Sequence, residues 1–255
     1  MIHSHPSNIF KMWNWPRNPR RILDVLFPPI CVHCRSLVED NGPLRHVCSK
    51  CYDQIDFVQS PHCTTCGHPF YGMVEGERIC PHCAGLRPHF SEGRTAVLMK
   101  GAARALVHEL KYHNGLHVLR DFEAIFSRSR HVLAIAAGAS IVPVPLHSRK
   151  RRERGYNQSE LLAHGLARAA GNGACVKKLL CRIVDTDSQT HHDRRDRRAN
   201  LKNAFAPTNG AQLSRDEHFV LVDDVFTTGS TLNSCAQVLC QAGAVKLDVV
   251  TFGHG

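Results

Sequence analysis

Eight cysteines fall before residue 84, in four Cys-x-x-Cys pairs: Cys31/Cys34, Cys48/Cys51, Cys63/Cys66 and Cys80/Cys83. Adding 32 to each position of the first two pairs gives the second two, so one Cys-x2-Cys-x13-Cys-x2-Cys unit occurs twice. Two intervening residues let both thiolates of a pair face one ion, and two pairs complete a tetrahedral four-sulfur site. The chain around them is rich in Gly, Pro and His and poor in large apolar residues, so metal binding has to supply much of the folding free energy here. The pattern predicts two zinc ions. With four sulfur ligands neither ion has an open coordination position, which makes them structural rather than catalytic. The repeat favours sequential pairing of the cysteine pairs; an interleaved arrangement stays open on sequence alone. His33, His68 and His82, beside the ligands, read as bystanders on exposed knuckles.

The other cysteines (Cys175, Cys181, Cys235 and Cys240) are scattered, which does not suit a disulfide framework. The N-terminus has no apolar core of signal-peptide length. The longest charge-free apolar stretch, Val132 to Leu146, is too short to cross a bilayer and contains Pro143 and Pro145. A cytoplasmic protein without membrane insertion is expected. Net charge is +10 at pH 7, and residues 91–255 carry +8 of it, which favours an anionic partner for that part. Residues 1–21 read as a disordered tail, 22–90 as a double zinc ribbon and 91–255 as a larger second domain. Within 20–29, "RRILDVLFPP" reads as a short amphipathic helix ended by Pro28 and Pro29, packed on the first ribbon or on the second domain.

The second domain alternates strand and helix patterns. Strands are expected at 93–99, 140–145, 175–183, 218–224 and 246–253, and helices at 101–113, 119–134, 157–171 and 229–244, with Gly171 as a helix cap. That order predicts an α/β fold with a mostly parallel sheet covered on both faces, whose ligands sit at the carboxyl ends of strands.

One such end is "VLVDDVFTTGST", residues 220–231. Asp223 and Asp224 stand side by side with no Lys or Arg in the stretch, so their partners must come from elsewhere. Thr227, Thr228, Gly229, Ser230 and Thr231 then lead into a helix, where free backbone N–H groups and hydroxyls suit a phosphate. Gly229 lets the backbone close around the anion. A ribose with adjacent hydroxyls and a 5′-phosphate satisfies both halves of the motif. A Walker B reading needs a Gly-Lys-containing loop, and the chain has no Gly-Lys dipeptide. A plain helix start with a Thr or Ser cap accounts for one hydroxyl, not for two carboxylates. After the 140–145 strand, Arg149, Lys150, Arg151, Arg152 and Arg154 place five cations in six positions, followed by Gly155 and the polar tip Asn157-Gln158. Such a run suits a charged leaving group, a solvated face or a nucleic-acid patch.

The 220–231 stretch resembles the phosphoribosyl-pyrophosphate (PRPP) motif of type I phosphoribosyltransferases. "VPVPLHSRKRRERGYNQSELLA" (142–163), "QTHHDRRDRRANLKNAF" (189–205) and "ELKY" (109–112) resemble the ComF, or GntX-like, family of competence-associated proteins. The resemblance runs from about residue 22 to the C-terminus. It implies a type I phosphoribosyltransferase-like α/β domain, with a mostly parallel sheet, preceded by a small double zinc-ribbon domain. It assigns Asp223 and Asp224 to the ribose hydroxyls and residues 227–231 to the 5′-phosphate. Arg154, Gly155, Asn157, Gln158 and Lys111 fall toward the pyrophosphate, which carries Mg²⁺. Gln189, Thr190, Arg194 and Arg195 fall in a loop that closes over PRPP. The implied activity is pentosyl transfer to a nitrogen nucleophile, in DNA uptake, natural transformation or related nucleic-acid metabolism. The alternative is a non-catalytic accessory module that binds single-stranded DNA through the basic loop and the ribbons, beside a helicase-like ATPase.

Overall fold

The computed structural model describes residues 27–39, 41–72, 78–184 and 204–255. The tail 1–21, residues 22–26 of the expected N-terminal helix, and the loop residues Gln189, Thr190, Arg194 and Arg195 lie outside them. Strand β1 (Gly93–Leu98) is followed by α2 (Gly101–Tyr112), α3 (Leu119–Arg128) and α4 (Arg130–Ala136). Next come β2 (Ser140–Pro143), α5 (Ser148–Arg154), α6 (Gln158–Ala170), β3 (Cys175–Val176) and β4 (Leu180–Arg182). The chain closes with β5 (Phe205–Pro207), β6 (His218–Phe226), α7 (Ser230–Gln241) and β7 (Lys246–His254). A short helix, α1 (Ser49–Tyr52), lies in the first ribbon.

Five strands form one sheet in the order β1-β7-β6-β2-β3, every pair parallel. Residues Phe219 to Val222 of the central β6 are all 0% exposed, the continuous apolar run expected of a strand buried on both faces. Because side chains alternate along a strand, β6 feeds two cores. Val220 and Val222 join α2, α3, α4, α6 and the first ribbon. Phe219 and Leu221 join α7, β4, β5 and the second ribbon. The two ribbons therefore pack on opposite faces of the sheet. The chain between them runs along the outer edge of β1: Phe57 bridges Val97 in antiparallel fashion, Val58 N donates to Ala96 O, and Leu98 N donates to Asp56 O.

Three expectations are corrected. The helix expected over 119–134 breaks at Ser129 (φ −93°, ψ 78°) into α3 and α4, where the buried hydroxyl bonds back to Ile125 O, 3.2 Å away, in competition with the helical backbone pattern. The strand expected over 175–183 is two strands: β3 pairs with β2, while β4 pairs antiparallel with β5. Between them Lys177 and Lys178 turn out to Glu217 and Glu160. The basic loop after β2 is a helix, α5. His147 caps it by accepting from Arg149 N, and Gly155 ends it at φ 83°; the Arg, Lys and Glu between them are strong helix formers.

Candidate functional site

β6 carries Asp223 and Asp224 close to its carboxyl end, beside α2, α6 and the start of α7. Asp224 is 5% exposed, and its Oδ2 lies 2.8 Å from Lys111 Nζ in the last turn of α2. Asp223 Oδ1 accepts from Ser159 Oγ at 2.8 Å and from Asp224 N at 2.9 Å. The partners missing from the 220–231 stretch are thus an ammonium and a hydroxyl from two helices. Burial, and then the neighbouring Asp224 charge, push the Asp223 carboxyl up to about 7, against the pull of Ser159. Asp223 therefore holds a proton more tightly than a solvated carboxylate would. Burial, and then the charge of Asp223 itself, raise the thiol of Cys235 on α7.

Lys111 is held in place by its neighbours. The Tyr156 hydroxyl donates to Leu110 O, and the Arg154 guanidinium lies over the Tyr112 ring, 5.9 Å from its centre. Arg154 also donates to Gln158 Oε1. Asn157 caps α6: its Oδ1 accepts from Ser159 N, and its Nδ2 donates to Val144 O at 2.9 Å. Arg154, Gly155, Asn157, Gln158 and Lys111 are therefore gathered at one end of the sheet. The amides of Asn157 and Gln158 are buried and serve the turn itself.

Residues 227–231 form the turn from β6 into α7. The helix is capped by Gly229 at φ 69° with no side-chain cap, so its first backbone N–H groups point out of the helix end. Ser230 N donates to Thr228 Oγ1 at 3.4 Å, and the Thr228 and Ser230 hydroxyls lie 2.9 Å apart. A Cβ on Gly229 would stand 2.6 Å from Phe226 Cζ. The Phe226 ring lies parallel to His254 (5.6 Å, 11°), and His254 meets His68 of the second ribbon edge-on (4.9 Å, 76°). His68, expected on an exposed knuckle, is half-buried in this interface.

The metal sites are closed. Cys31, Cys34, Cys48 and Cys51 form one group and Cys63, Cys66, Cys80 and Cys83 the other, each with all sulfurs within 4.8 Å of one another. Pairing is sequential. The Cys34–Cys48 and Cys66–Cys80 sulfur separations are both 3.6 Å, against the roughly 3.8 Å edge of a tetrahedron with Zn–S bonds of about 2.3 Å. Backbone N–H groups of Cys80 and His68 point at Cys63 and Cys66 sulfurs, at 3.3 and 3.4 Å, the support a thiolate ligand needs. These donor sets fit structural zinc.

Ser159, Phe226 and His254 were not singled out from the sequence. Ser159 had a local signal: it follows the Asn157 cap inside the "NQSE" stretch. Phe226 and His254 had none, since each reads as an ordinary strand residue.

The double zinc ribbon domain model matches residues 22–84. Competence protein F of Haemophilus influenzae is 29% identical over 227 residues, 86% of this chain and 94% of that one. The DNA utilization protein YhgH of Salmonella typhimurium is 30% identical over 230 residues, 87% of this chain and 95% of that one. The competence protein ComFC of Bacillus subtilis is 23% identical over 207 residues, 79% and 80% of the two chains. A solved structure of the allosteric regulatory enzyme of purine biosynthesis aligns with a TM-score of 0.29 and 17% identity, over 50% of this chain and 26% of that one. At that level the likeness adds nothing to the sheet order described above. Among the described residues, no helix is long and apolar enough to cross a membrane.

Proposed function

This chain belongs to the family of competence protein F and the DNA utilization proteins, and on that premise we propose that it binds PRPP with magnesium and acts in DNA uptake. The observation that carries the reading is the juxtaposition of two adjacent carboxylates, the buried Asp224 and the half-buried Asp223, with an uncapped helix start. Asp223 and Asp224 accept the ribose hydroxyls. The N–H groups and hydroxyls of 227–231 take the 5′-phosphate. Lys111 neutralises Asp224 in the ligand-free site; when ribose hydroxyls take over that carboxylate, its ammonium turns to the pyrophosphate, with Arg154 beside it. Magnesium prefers phosphate and water oxygens to an all-protein cage, and here it would sit on pyrophosphate oxygens and offset their charge. Transfer then forms a bond from a nitrogen nucleophile to the anomeric carbon, while the bond to pyrophosphate breaks and the leaving group keeps the electron pair. The cations near it stabilise the charge that develops.

A second reading is supported by α5, which carries Arg149, Lys150, Arg151, Arg152 and Arg154 and buries none of its residues. It is a surface for the phosphate backbone of single-stranded DNA, with the salt dependence such contacts bring. The deciding experiment titrates PRPP and Mg²⁺ calorimetrically into the zinc-loaded protein and into the Asp223→Asn/Asp224→Asn variant. Saturable binding lost in the variant supports the PRPP reading. No heat with either protein, together with salt-sensitive binding of single-stranded DNA by the wild type, overturns it in favour of the second.

A further inference from the structure

The turn that opens α7 has no room for a side chain at its centre. Gly229 sits at φ 69° with its Cα side pressed on the Phe226 ring, and the helix it starts has no side-chain cap. What holds the turn from below is a column of three rings. Phe226 lies flat on His254, and His254 receives the edge of His68. Phe226 and His254 are 3% and 5% exposed, and His254 Nε2 is buried with no hydrogen-bond partner among the described residues. A buried imidazole nitrogen without a partner costs free energy. The ring is therefore placed for packing.

The far end of the column is fixed. The second ribbon is fastened to β1 by one backbone and one side-chain hydrogen bond: Gly93 N donates to Thr64 O at 2.7 Å, and Thr95 Oγ1 donates to Cys66 O at 2.9 Å. Any Cβ on Gly67 would come within 2.6 Å of Thr95 N. Farther along α7, Asn233 Oδ1 accepts from His89 N at 2.7 Å, just past the ribbon. The first turns of α7 are thus braced at two places, under the loop by the second ribbon and on the helix by the segment just past it.

We propose that His68, His254 and Phe226 are positioning residues, through which the second zinc ribbon holds the 227–231 turn in the shape that takes a phosphate. This rests on the phosphoribosyl reading of that turn. A preformed site avoids the ordering cost of assembling it on binding, and an aromatic pair lost from the column loosens the turn without touching the ligand.

The test uses the zinc-loaded full chain and ribose 5-phosphate as calorimetric probe, with His68→Ala, His68→Phe, His254→Ala and His254→Phe. Zinc content is measured on every sample. We expect two zinc ions per chain throughout, about 3- to 10-fold weaker binding in the Ala variants, and recovery to near wild type in the Phe variants, which keep a ring. If His68→Ala sheds its zinc, the His254 pair, outside the ribbon, carries the test alone with the same expectation. Ala variants that bind as wild type overturn this inference only. Phe variants that bind as weakly as Ala variants also overturn it, because the ring is then not the agent. A wild type that binds neither ribose 5-phosphate nor PRPP overturns the phosphoribosyl reading, and this inference with it.

Discussion

Asp121 is where the first ribbon is tied to the α/β core, and its removal tests how firmly. The residue lies on α3 and is 1% exposed. Its carboxylate accepts from Arg45 N at 2.6 Å and from His46 N at 3.1 Å, and His46 Nδ1 lies 2.9 Å from Oδ2. The His46 ring meets His117 edge-on at 4.7 Å, at the end of α2 that bears Lys111. Hydrogen bonds to a charged group contribute about 1.5–3 kcal/mol each. Three of them do not add in full, since Arg45 is exposed and water replaces part of what is lost. Asp121→Ala should therefore cost about 3 kcal/mol, and Asp121→Asn, which keeps one acceptor and the shape, about half of that. In a chain of this size each kcal/mol lowers the melting temperature by about 2–4 °C, so the alanine variant should melt roughly 6–12 °C early. The assay is thermal denaturation followed by circular dichroism on zinc-loaded protein, with zinc content checked before and after. An Asp121→Ala variant that melts with the wild type while retaining both zinc ions would refute the reasoning, because the tie would then carry no net free energy.

Gly229→Ala forces a side chain into φ 69° and toward the Phe226 ring at 2.6 Å. It should cost about 2–4 kcal/mol by thermal melting, with part recovered when Phe226→Leu is added. Lys111→Met leaves Asp224 buried beside Asp223 without its cation, at a cost of about 2–3 kcal/mol; adding Asp224→Asn should recover most of it in a double-mutant cycle. The raised proton affinity of Asp223 has a definite sign. A carboxyl at about 7 in the fold, against its ordinary 3.8, contributes stability that is full below about pH 4 and is gone once pH has risen past about 7. The wild-type melting temperature should accordingly fall relative to Asp223→Asn across that window, and parallel curves would contradict the assignment. Zinc removal by a strong chelator should collapse the whole chain in one transition instead of releasing an intact α/β remainder; a remainder that melts at the original temperature would contradict the shared cores.

The legible part of this fold was what neighbours in sequence decide. The 32-residue cysteine repeat shows metal sites by spacing alone, and the apolar run into Asp223 and Asp224, followed by hydroxyls and Gly229, marks a strand, a turn and a helix start. Gly171 and Asn157 were readable as the ends of α6 for the same reason. The partners of the carboxylates were not, because Lys111 and Ser159 reach them across the sheet from separate helices and local pattern says nothing of who meets whom. Charge alone makes the basic run Arg149 to Arg154 look like a loop, although its helix propensity and the Gly155 stop spell a helix. The His68 contact was invisible for a different reason. Beside a ligand, on a short knuckle, a histidine looks solvent-exposed until a second element closes over it.

Sequence divides the chain near residue 90, yet no packing boundary falls there. Cys31, Cys48 and Cys51 of the first ribbon and all four cysteines of the second belong to the same apolar clusters as alternate residues of β6, so neither cluster is complete without its ribbon. The geometry explains why the ribbon is doubled. A parallel sheet has two faces to cover and an edge strand with unpaired backbone groups. One ribbon on each face, joined by residues 56–58 paired along β1, covers all three with a single short segment that has little apolar mass of its own. The same arrangement ties each ribbon to a different part of the proposed site: the first, through Asp121, His46 and His117, to the end of α2 that carries Lys111, and the second, through His68 and His254, to the turn before α7. Two ions held away from that proposed site can in this way set the distance between Lys111 and the 227–231 turn.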